Sequence, residues 1–187
     1  MKTPSPSINL DAYFERIRYA GARDATVNTL HAILAAHVSS IPFENLDVLL
    51  GRSIALEPAA LEQKLVRDKR GGYCFEQNGL LLLVLGQMGF RATPLSARVR
   101  MGQPRSYTPP RTHLFLRVDI DGEPWLADVG VGSASLTGAL RLDREEAQAT
   151  PHESRRLVTE EGRKFHQIRL GDEWSDVYEF TGEEMPL

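Results

Sequence analysis

The chain has 187 residues, of which 42% are hydrophobic and 25% are charged, and its formal net charge is -3. This composition is typical of a globular protein and argues against a disordered or fibrous chain. The small negative charge, with no basic run, argues against nucleic acid or an anionic membrane as a partner.

A single cysteine, Cys74, excludes an intrachain disulfide and a zinc site built from several cysteines. No two histidines have the spacing of metal ligands, so no metal site is predicted. We also expect no tightly bound cofactor. The opening stretch MKTPSPSINL has no apolar run of the kind found in signal peptides, and residues 80–85, the longest apolar stretch, cannot span a bilayer. We therefore expect a soluble, cytoplasmic protein.

Four helices are predicted in the first half of the chain, because apolar residues recur there at helical spacing. Thr26 has the residue type of an N-cap, Pro58 suits a first helical turn, and Gly89 suits a helix end. The fourth segment is apolar on most sides, which predicts a buried helix. The segments are INLDAYFERIRYAG, TVNTLHAILAAHVSS, EPAALEQKLVRD and CFEQNGLLLLVLGQMGF.

The second half of the chain has the residue types of β-strands. We predict strands at 94–101, 113–120 and 124–131, a hairpin with its turn near Glu161 and Gly162, and a last strand in EWSDVYEF. The proline-rich segment 101–112 and the polar segment 143–153 are predicted loops. The expected fold is α+β, with a helical bundle in residues 1–90 and an antiparallel β-barrel in residues 91–187.

Cys74 follows two glycines in the stretch RGGYCFEQN, at the predicted start of a helix. Gly71 and Gly72 permit a sharp turn of the backbone. The positive end of the helix dipole favours a thiolate, which is the nucleophilic form of cysteine. Glu76 opposes this effect if its carboxylate faces the sulfur, and a lone cysteine beside an apolar helix is also typical of a protein core.

A base for this thiol is suggested by one hairpin. A two-residue turn at Asp121 and Gly122 pairs Val118 with Trp125 and makes one face of the ribbon wholly apolar. His113 and Asp128 are then diagonal neighbours on the other face, within side-chain reach. Such a pair is the base and orienting carboxylate of a cysteine relay, or a plain surface ion pair, and Arg117 is a rival partner for Asp128.

The other histidines fit structural positions better. His31 and His37 lie in a predicted helix, His152 lies in a polar loop, and His166 lies in a predicted strand. The glycine-rich stretch DVGVGS, residues 128–133, either brings backbone N–H groups near an anion or forms a tight turn, and it lacks the lysine of a P-loop.

Four stretches together resemble the arylamine N-acetyltransferases, in the order and with the gaps of that family. They are IPFENLDVLL, RGGYCFEQNGLLLLVLGQMGF, THLFLRVDIDGEPWLADVGVGS and YEFT. The resemblance implies a core similar to cysteine proteases and transglutaminases, and a ping-pong transfer of acetyl from acetyl-CoA to an arylamine or arylhydrazine, as in xenobiotic metabolism. It implies Cys74 as nucleophile, His113 as base and Asp128 as orienting carboxylate.

The resemblance also implies contacts to the two substrates. Gly130, Gly132 and Ser133 are expected to contact acetyl-CoA, and Phe43, Tyr73 and Val131 are expected to contact the acceptor. Family members often have phenylalanine where this chain has Val131, so we expect a wider acceptor pocket.

The resemblance implies a third α/β segment, a lid, beyond YEFT, and we expect this chain to lack it because the sequence ends soon after YEFT. We therefore expect an exposed apolar surface where that lid would pack, and possible partners include a second copy of the chain. Two alternatives to acetyl transfer stay open: a thioester-hydrolysing cysteine enzyme that uses the same triad, and an inactive fragment that needs a partner.

Overall fold

The computed structural model describes residues 7–186 of the chain. Most of the opening stretch that bears on a signal peptide lies outside these residues. In the described part, the α-helices all precede the first strand: α1 (Leu10–Arg16), α2 (Val27–Ser40), α3 (Leu46–Leu49), α4 (Pro58–Leu61, continued as a π-helix over Glu62–Arg67) and α5 (Cys74–Gln87).

The helix ends follow the sequence signals. The Thr26 side chain accepts a hydrogen bond from the backbone N–H of Thr29 at 3.4 Å, as an N-cap does. Pro58 is the first residue of α4. Gly89 follows α5 with a φ of +88°, a conformation that glycine adopts without strain. These three predictions are confirmed.

Helix α5 is the central helix, as its apolar sequence predicts. Leu80, Leu81, Val84 and Leu85 are fully buried, in a cluster that also contains residues of α1, α2 and the second strand. Burial of each such side chain stabilises the fold by about 1.5–3 kcal/mol. The first residue of α5 is therefore held on a rigid element.

The strands form one antiparallel sheet that curls into a nearly closed barrel. Its spatial order is β4-β3-β2-β1-β8-β7-β6-β5. The side-chain amide of Gln148 bridges the two edges, since it binds the N–H and the carbonyl of Arg141 at 2.7 and 3.1 Å. The strands are β1 (Arg91–Val99), β2 (His113–Ile120), β3 (Glu123–Ala127), β4 (Leu140–Arg141), β5 (Gln148–Ala149), β6 (Ser154–Glu160), β7 (Arg163–Leu170) and β8 (Glu173–Phe180).

The predicted register of the β2–β3 hairpin is confirmed. Ile120 pairs with Glu123 and Val118 with Trp125. The second predicted hairpin, with its turn at Glu161 and Gly162, is also present between β6 and β7.

Two strands, β1 and β3, begin and end at other residues than predicted. β3 ends at Ala127 rather than at residue 131, because the Asp128 carboxylate accepts the N–H of Gly130 and the Asp128 carbonyl accepts that of Leu136, which turns the chain. β1 begins at Arg91, so Pro94 lies inside it. Proline has no N–H to donate, but β8 pairs with β1 only at Arg98 and Val99, so no hydrogen bond to β8 is lost at Pro94. The Pro94 carbonyl accepts the N–H of Met185.

Three short elements were not predicted. α3 has four residues, and β4 and β5 have two residues each. Elements this short contain no full period of a helical or strand pattern, so periodicity cannot indicate them. No helix among residues 7–186 is long and apolar enough to cross a membrane.

Candidate active site

Cys74 is the first residue of α5 and is only 7% exposed. Its Sγ lies 3.5 Å from the carbonyl oxygen of Thr112. A side chain in a first helical turn faces unpaired backbone N–H groups and the positive end of the helix dipole. The position suits a group that becomes negative.

The two glycines before Cys74 are needed for space. Neither has a positive φ, so the predicted conformational reason is wrong. A Cβ on Gly71 would lie 2.1 Å from the carbonyl oxygen of Pro42, and a Cβ on Gly72 would lie 2.9 Å from the Cβ of Glu76. The backbone of Gly72 instead pairs with the segment at Pro42–Phe43, which packs that segment against the start of α5.

The Glu76 carboxylate is turned away from the sulfur. One oxygen accepts the N–H of Tyr73 at 3.1 Å, and the other lies 2.6 Å from Lys64 Nζ. Lys64 and Arg70 also pair with Asp47, at 2.8 and 2.9 Å, and these hydrogen bonds lower the pKa of Asp47 to about 2. The concern that Glu76 opposes a thiolate is therefore removed.

His113 and Asp128 meet as the hairpin register predicts. His113 Nε2 lies 2.7 Å from Asp128 Oδ2, and both side chains are buried. Arg117 pairs with Asp119 at 2.8 Å, so its predicted rivalry for Asp128 is wrong. The alternative of a surface His–Asp pair is wrong too, because the side chains are only 2% and 0% exposed.

Electrostatics stabilise the charged forms of this pair. Burial opposes the charge on His113, but the Asp128 charge and hydrogen bond, with a smaller effect of Cys74, raise the pKa of His113 to about 10. Burial also opposes the charge on Asp128, yet His113 and the hydrogen bonds from Asn78 and Gly130 lower the pKa of that carboxyl. The imidazole next to Cys74 is thus suited to hold a proton.

Asn78 completes this arrangement and was missed by sequence reasoning. Its Nδ2 donates to Asp128 Oδ1 at 2.9 Å and to the Leu114 carbonyl at 2.7 Å, while its Oδ1 accepts the N–H of Val129 at 3.0 Å. The available signal was its position four residues after Cys74, which places both side chains on one face of α5.

Gly130 brings the loop after β3 against Cys74. A Cβ at this position would lie 2.7 Å from Cys74 Cα and 2.7 Å from Asn78 Nδ2. Only glycine therefore allows this approach. Gly132 and Ser133 lie further along, in a 3-10 turn over Gly132–Ala134.

A hollow of about 260 Å³ opens beside Cys74. It brings together the predicted acceptor residues Phe43, Tyr73 and Val131 with Cys74, while Gly132 and Ser133 lie outside its lining. The walls are mostly apolar, as a site for an aromatic molecule requires. Its full lining is Phe43, Asn45, Val48, Tyr73, Cys74, Val99, Met101, Thr112, His113, Gly130 and Val131.

The remaining histidines do not reach Cys74. His37 is buried between the Tyr13 hydroxyl and Gln77 Oε1, and His31 accepts the N–H of Ala139 at 3.0 Å. His152 is exposed, and His166 is buried 3.3 Å from Arg155 Nη1. Residues 7–186 contain no group of three or more His, Cys, Asp or Glu side chains placed to hold a metal ion.

Comparison with known proteins identifies the family. A sequence model of the N-acetyltransferase family matches residues 26–186. The chain is 47% identical over 171 residues to an arylamine N-acetyltransferase / N-hydroxyarylamine O-acetyltransferase of Salmonella typhimurium, covering 91% of this chain. This chain belongs to the arylamine N-acetyltransferase family.

Solved structures of the family have the same fold as this chain. The arylamine N-acetyltransferase of M. tuberculosis superposes with a TM-score of 0.91 at 43% identity, over 96% of this chain and 67% of that chain. The Mycobacterium marinum arylamine N-acetyltransferase, solved in complex with CoA, superposes with a TM-score of 0.91 at 40% identity, over 95% of this chain and 67% of that chain.

The chain spans only part of the length of these family members. It covers 60% of the Salmonella arylamine N-acetyltransferase and 65% of the one from Mycobacterium bovis, to which it is 42% identical. In this chain, several large apolar side chains near the hollow are exposed. They are Phe43, Leu46, Val48, Leu49, Leu50 and Met101.

Proposed function

We propose that this chain carries the catalytic core of an arylamine N-acetyltransferase, with Cys74 as the residue that accepts the acetyl group from acetyl-CoA. The observation that carries the proposal is the series formed by a buried thiol at a helix start, the His113 ring and the Asp128 carboxylate. Residues 1–90 supply the nucleophile, and residues 91–187 supply the base and its orienting group.

In the first half-reaction, His113 already holds the Cys74 proton, as its raised pKa favours, and the thiolate attacks the thioester carbonyl of acetyl-CoA. Asp128 stabilises the imidazolium and fixes the ring, which leaves Nδ1 for the thiol since Nε2 is bound to the carboxylate. The tetrahedral oxyanion is within the field of the α5 N-terminus, where the Cys74 N–H is a candidate donor. The C–S bond to coenzyme A then breaks, and the leaving thiolate takes the proton from His113.

In the second half-reaction, the amine attacks the carbonyl of acetyl-Cys74. His113 accepts the proton that the nitrogen loses, and the Cys74 thiolate is released as the amide forms. A weakly basic arylamine or arylhydrazine is neutral at pH 7 and needs no prior deprotonation. The apolar walls given by Phe43, Val131 and Met101 suit its aromatic ring.

Mass spectrometry of the intact protein tests the proposal. Incubation with acetyl-CoA should add one acetyl group to the wild type and none to Cys74→Ala, while His113→Gln should slow the addition at least a hundredfold. Gly86→Ala, an exposed change on the same helix, is the matched control. A folded wild type that gains no acetyl group would refute acetyl transfer by this chain.

Thioester hydrolysis is a second candidate, because Phe43 at the rim of the hollow is 44% exposed and water has access. Coenzyme A release with and without an arylamine separates the two reactions. Coenzyme A release that requires the arylamine favours acetyl transfer, and equal release with and without the arylamine favours hydrolysis.

A third candidate is a fragment that becomes active only with a partner, for which the exposed leucines of α3 offer a contact surface. Leu49 is 73% exposed, the highest value among these apolar side chains. Light scattering of the wild type and of Leu49→Ser tests self-association. A monomer at all concentrations would exclude a second copy as that partner.

A further inference from the structure

A second hollow, of about 190 Å³, is lined by three arginines. Arg98 lies on β1, Arg111 lies just before β2, and Arg163 is the first residue of β7. We call this feature the arginine hollow. Its other lining residues are Thr108, Glu179, Phe180 and Thr181.

The single carboxylate of the arginine hollow is already neutralised. Glu179 is buried, and its Oε2 lies 2.9 Å from Nη2 of the fully buried Arg100 and 3.3 Å from Arg163 Nη1. The arginine hollow has a net positive charge, because Arg98, Arg100, Arg111 and Arg163 outnumber the three carboxylates that they face, those of Glu161, Glu179 and Glu183. Charge of one sign in a concave site attracts a ligand of the opposite sign.

Arg98 and Arg111 have N–H donors that are available for hydrogen bonds to a ligand. Arg98 donates to the Pro109 carbonyl and makes no ion pair with any carboxylate in residues 7–186. Arg111 pairs with Glu183, but both side chains are exposed, and an exposed ion pair of this kind contributes little to stability. Both guanidinium groups can therefore turn to an anion at little cost.

The arginine hollow lies close along the chain to the candidate active site. Arg111 precedes Thr112, whose carbonyl contacts Cys74 Sγ, and Arg98 precedes Val99, which lines the hollow beside Cys74. Successive residues of a strand point to opposite faces. Arg98 is thus on the face of β1 opposite Val99, and Arg111 joins it in the lining of the arginine hollow.

We propose that the arginine hollow binds the 3′-phosphate group of the acyl donor, coenzyme A. This inference rests on the proposed function. Coenzyme A carries its thioester at one end of a long flexible arm and its phosphates at the other, so a thioester at Cys74 places the phosphates beyond the edge of the site. Guanidinium forks bind phosphate oxygens in pairs, and the hydroxyls of Thr108 and Thr181 supply further donors.

Calorimetry with coenzyme A and 3′-dephospho-coenzyme A tests the proposal. Wild type should bind coenzyme A about tenfold more tightly than 3′-dephospho-coenzyme A, since one charge-assisted hydrogen bond changes the affinity by about that factor. In Arg98→Gln and Arg111→Gln the two ligands should bind alike, and Arg98→Lys should keep part of the preference. The control Arg169→Gln removes an exposed charge elsewhere on β7 and should keep all of it.

Inorganic pyrophosphate is the probe that separates this proposal from the proposed function. It should compete with coenzyme A in the wild type and bind at least tenfold more weakly to Arg98→Gln. If Cys74 is acetylated but wild type binds coenzyme A and 3′-dephospho-coenzyme A equally well, the phosphate site is wrong and the proposed acetyl transfer is still supported. If wild type prefers coenzyme A to 3′-dephospho-coenzyme A and Arg98→Gln does not, the arginine hollow binds phosphate, even if no acetyl group is transferred to Cys74.

Discussion

The Asn78 side chain joins the helix that begins at Cys74 to the loop that contains Asp128. Its amide donates to Asp128 Oδ1 at 2.9 Å, and its oxygen accepts the N–H of Val129 at 3.0 Å. Both contacts are buried, in surroundings where a hydrogen bond is strong and a missing partner is costly. The alignment of Cys74 with the His113–Asp128 pair therefore depends on this residue.

Asn78→Ala should lower the free energy of unfolding by about 1–3 kcal/mol, because Asp128 and the Val129 N–H would lose buried partners. It should also slow alkylation of Cys74 by iodoacetamide, since the loop would no longer be fixed against α5. Denaturant unfolding and single-exponential alkylation measure the two effects. A variant that is destabilised but alkylated at the wild-type rate would show that Asn78 supports the fold alone.

Gly130 offers a test of close packing at Cys74. In Gly130→Ala the new methyl group would meet Cys74 Cα at 2.7 Å, so backbone must move. We expect a loss of about 1–3 kcal/mol in stability and a clear drop in Cys74 reactivity.

The matched control for that change is Gly86→Ala. Gly86 is exposed within α5, and a Cβ there meets nothing within 4 Å. Alanine should stabilise the helix by about 0.5–1 kcal/mol. If both glycines tolerate alanine equally, the close approach of Gly130 to Cys74 is wrong.

The parts of the site that the sequence predicted are those fixed by local rules. The Asp121–Gly122 turn sets the parity of the hairpin, and parity sets which side chains share a face. His113 and Asp128 could be placed together for this reason. Cys74 could be placed at a helix start because apolar periodicity begins there.

The parts that were missed depend on contacts between distant segments. The role of Gly71 comes from Pro42, about thirty positions earlier, and not from its own conformation. Arg100 and Arg155 are fully buried although arginine is mostly a surface residue, because each donates to carbonyls of a neighbouring loop. No single-sequence pattern indicates which carbonyls those will be.

The raised pKa of His113 predicts how its contribution to stability changes with pH. The folded-state pKa, about 10, lies above the ordinary value of 6.5. The contribution is therefore fully present below pH 6.5 and is lost as the pH rises toward 10. His113→Gln leaves Asp128 buried without its charged partner and should cost about 3 kcal/mol at pH 6.

Denaturant unfolding of wild type and His113→Gln at several pH values checks this sign. The difference between the two proteins should shrink steadily from pH 6.5 to pH 10. A difference that grows over this range would mean that His113 is buried as the neutral imidazole.

The lowered pKa of His37 predicts that its contribution to stability is lost in acid, the opposite of the dependence expected for His113. Burial, which outweighs the hydrogen bond to Gln77, lowers the pKa of His37 to about 4. Since Gln77 Oε1 can only accept, His37 Nε2 donates and Nδ1 accepts the Tyr13 hydroxyl, an arrangement that a second proton destroys. The contribution of His37 to the free energy of unfolding is present above pH 6.5 and is lost as the pH falls toward 4.

His37→Gln, which does not titrate in this range, should lose less stability than wild type between pH 7.5 and pH 4.5. Exposed His152 provides the control, and His152→Gln should follow the wild-type curve. Thermal unfolding at matched ionic strength measures both. Equal losses in wild type and His37→Gln would show that other groups cause the acid sensitivity.

Arg100 fixes the proline-rich loop that forms one wall of the candidate active site. Its guanidinium donates to the carbonyls of Pro104, Arg105 and Tyr107 and pairs with Glu179 at 2.9 Å. Arg100→Lys keeps the charge and loses the fork, so hydrogen exchange in residues 101–112 should accelerate about tenfold. Arg156→Lys, on the outer face of β6, should leave that exchange unchanged. A loop that exchanges at the wild-type rate in Arg100→Lys would mean that its prolines alone hold it in place.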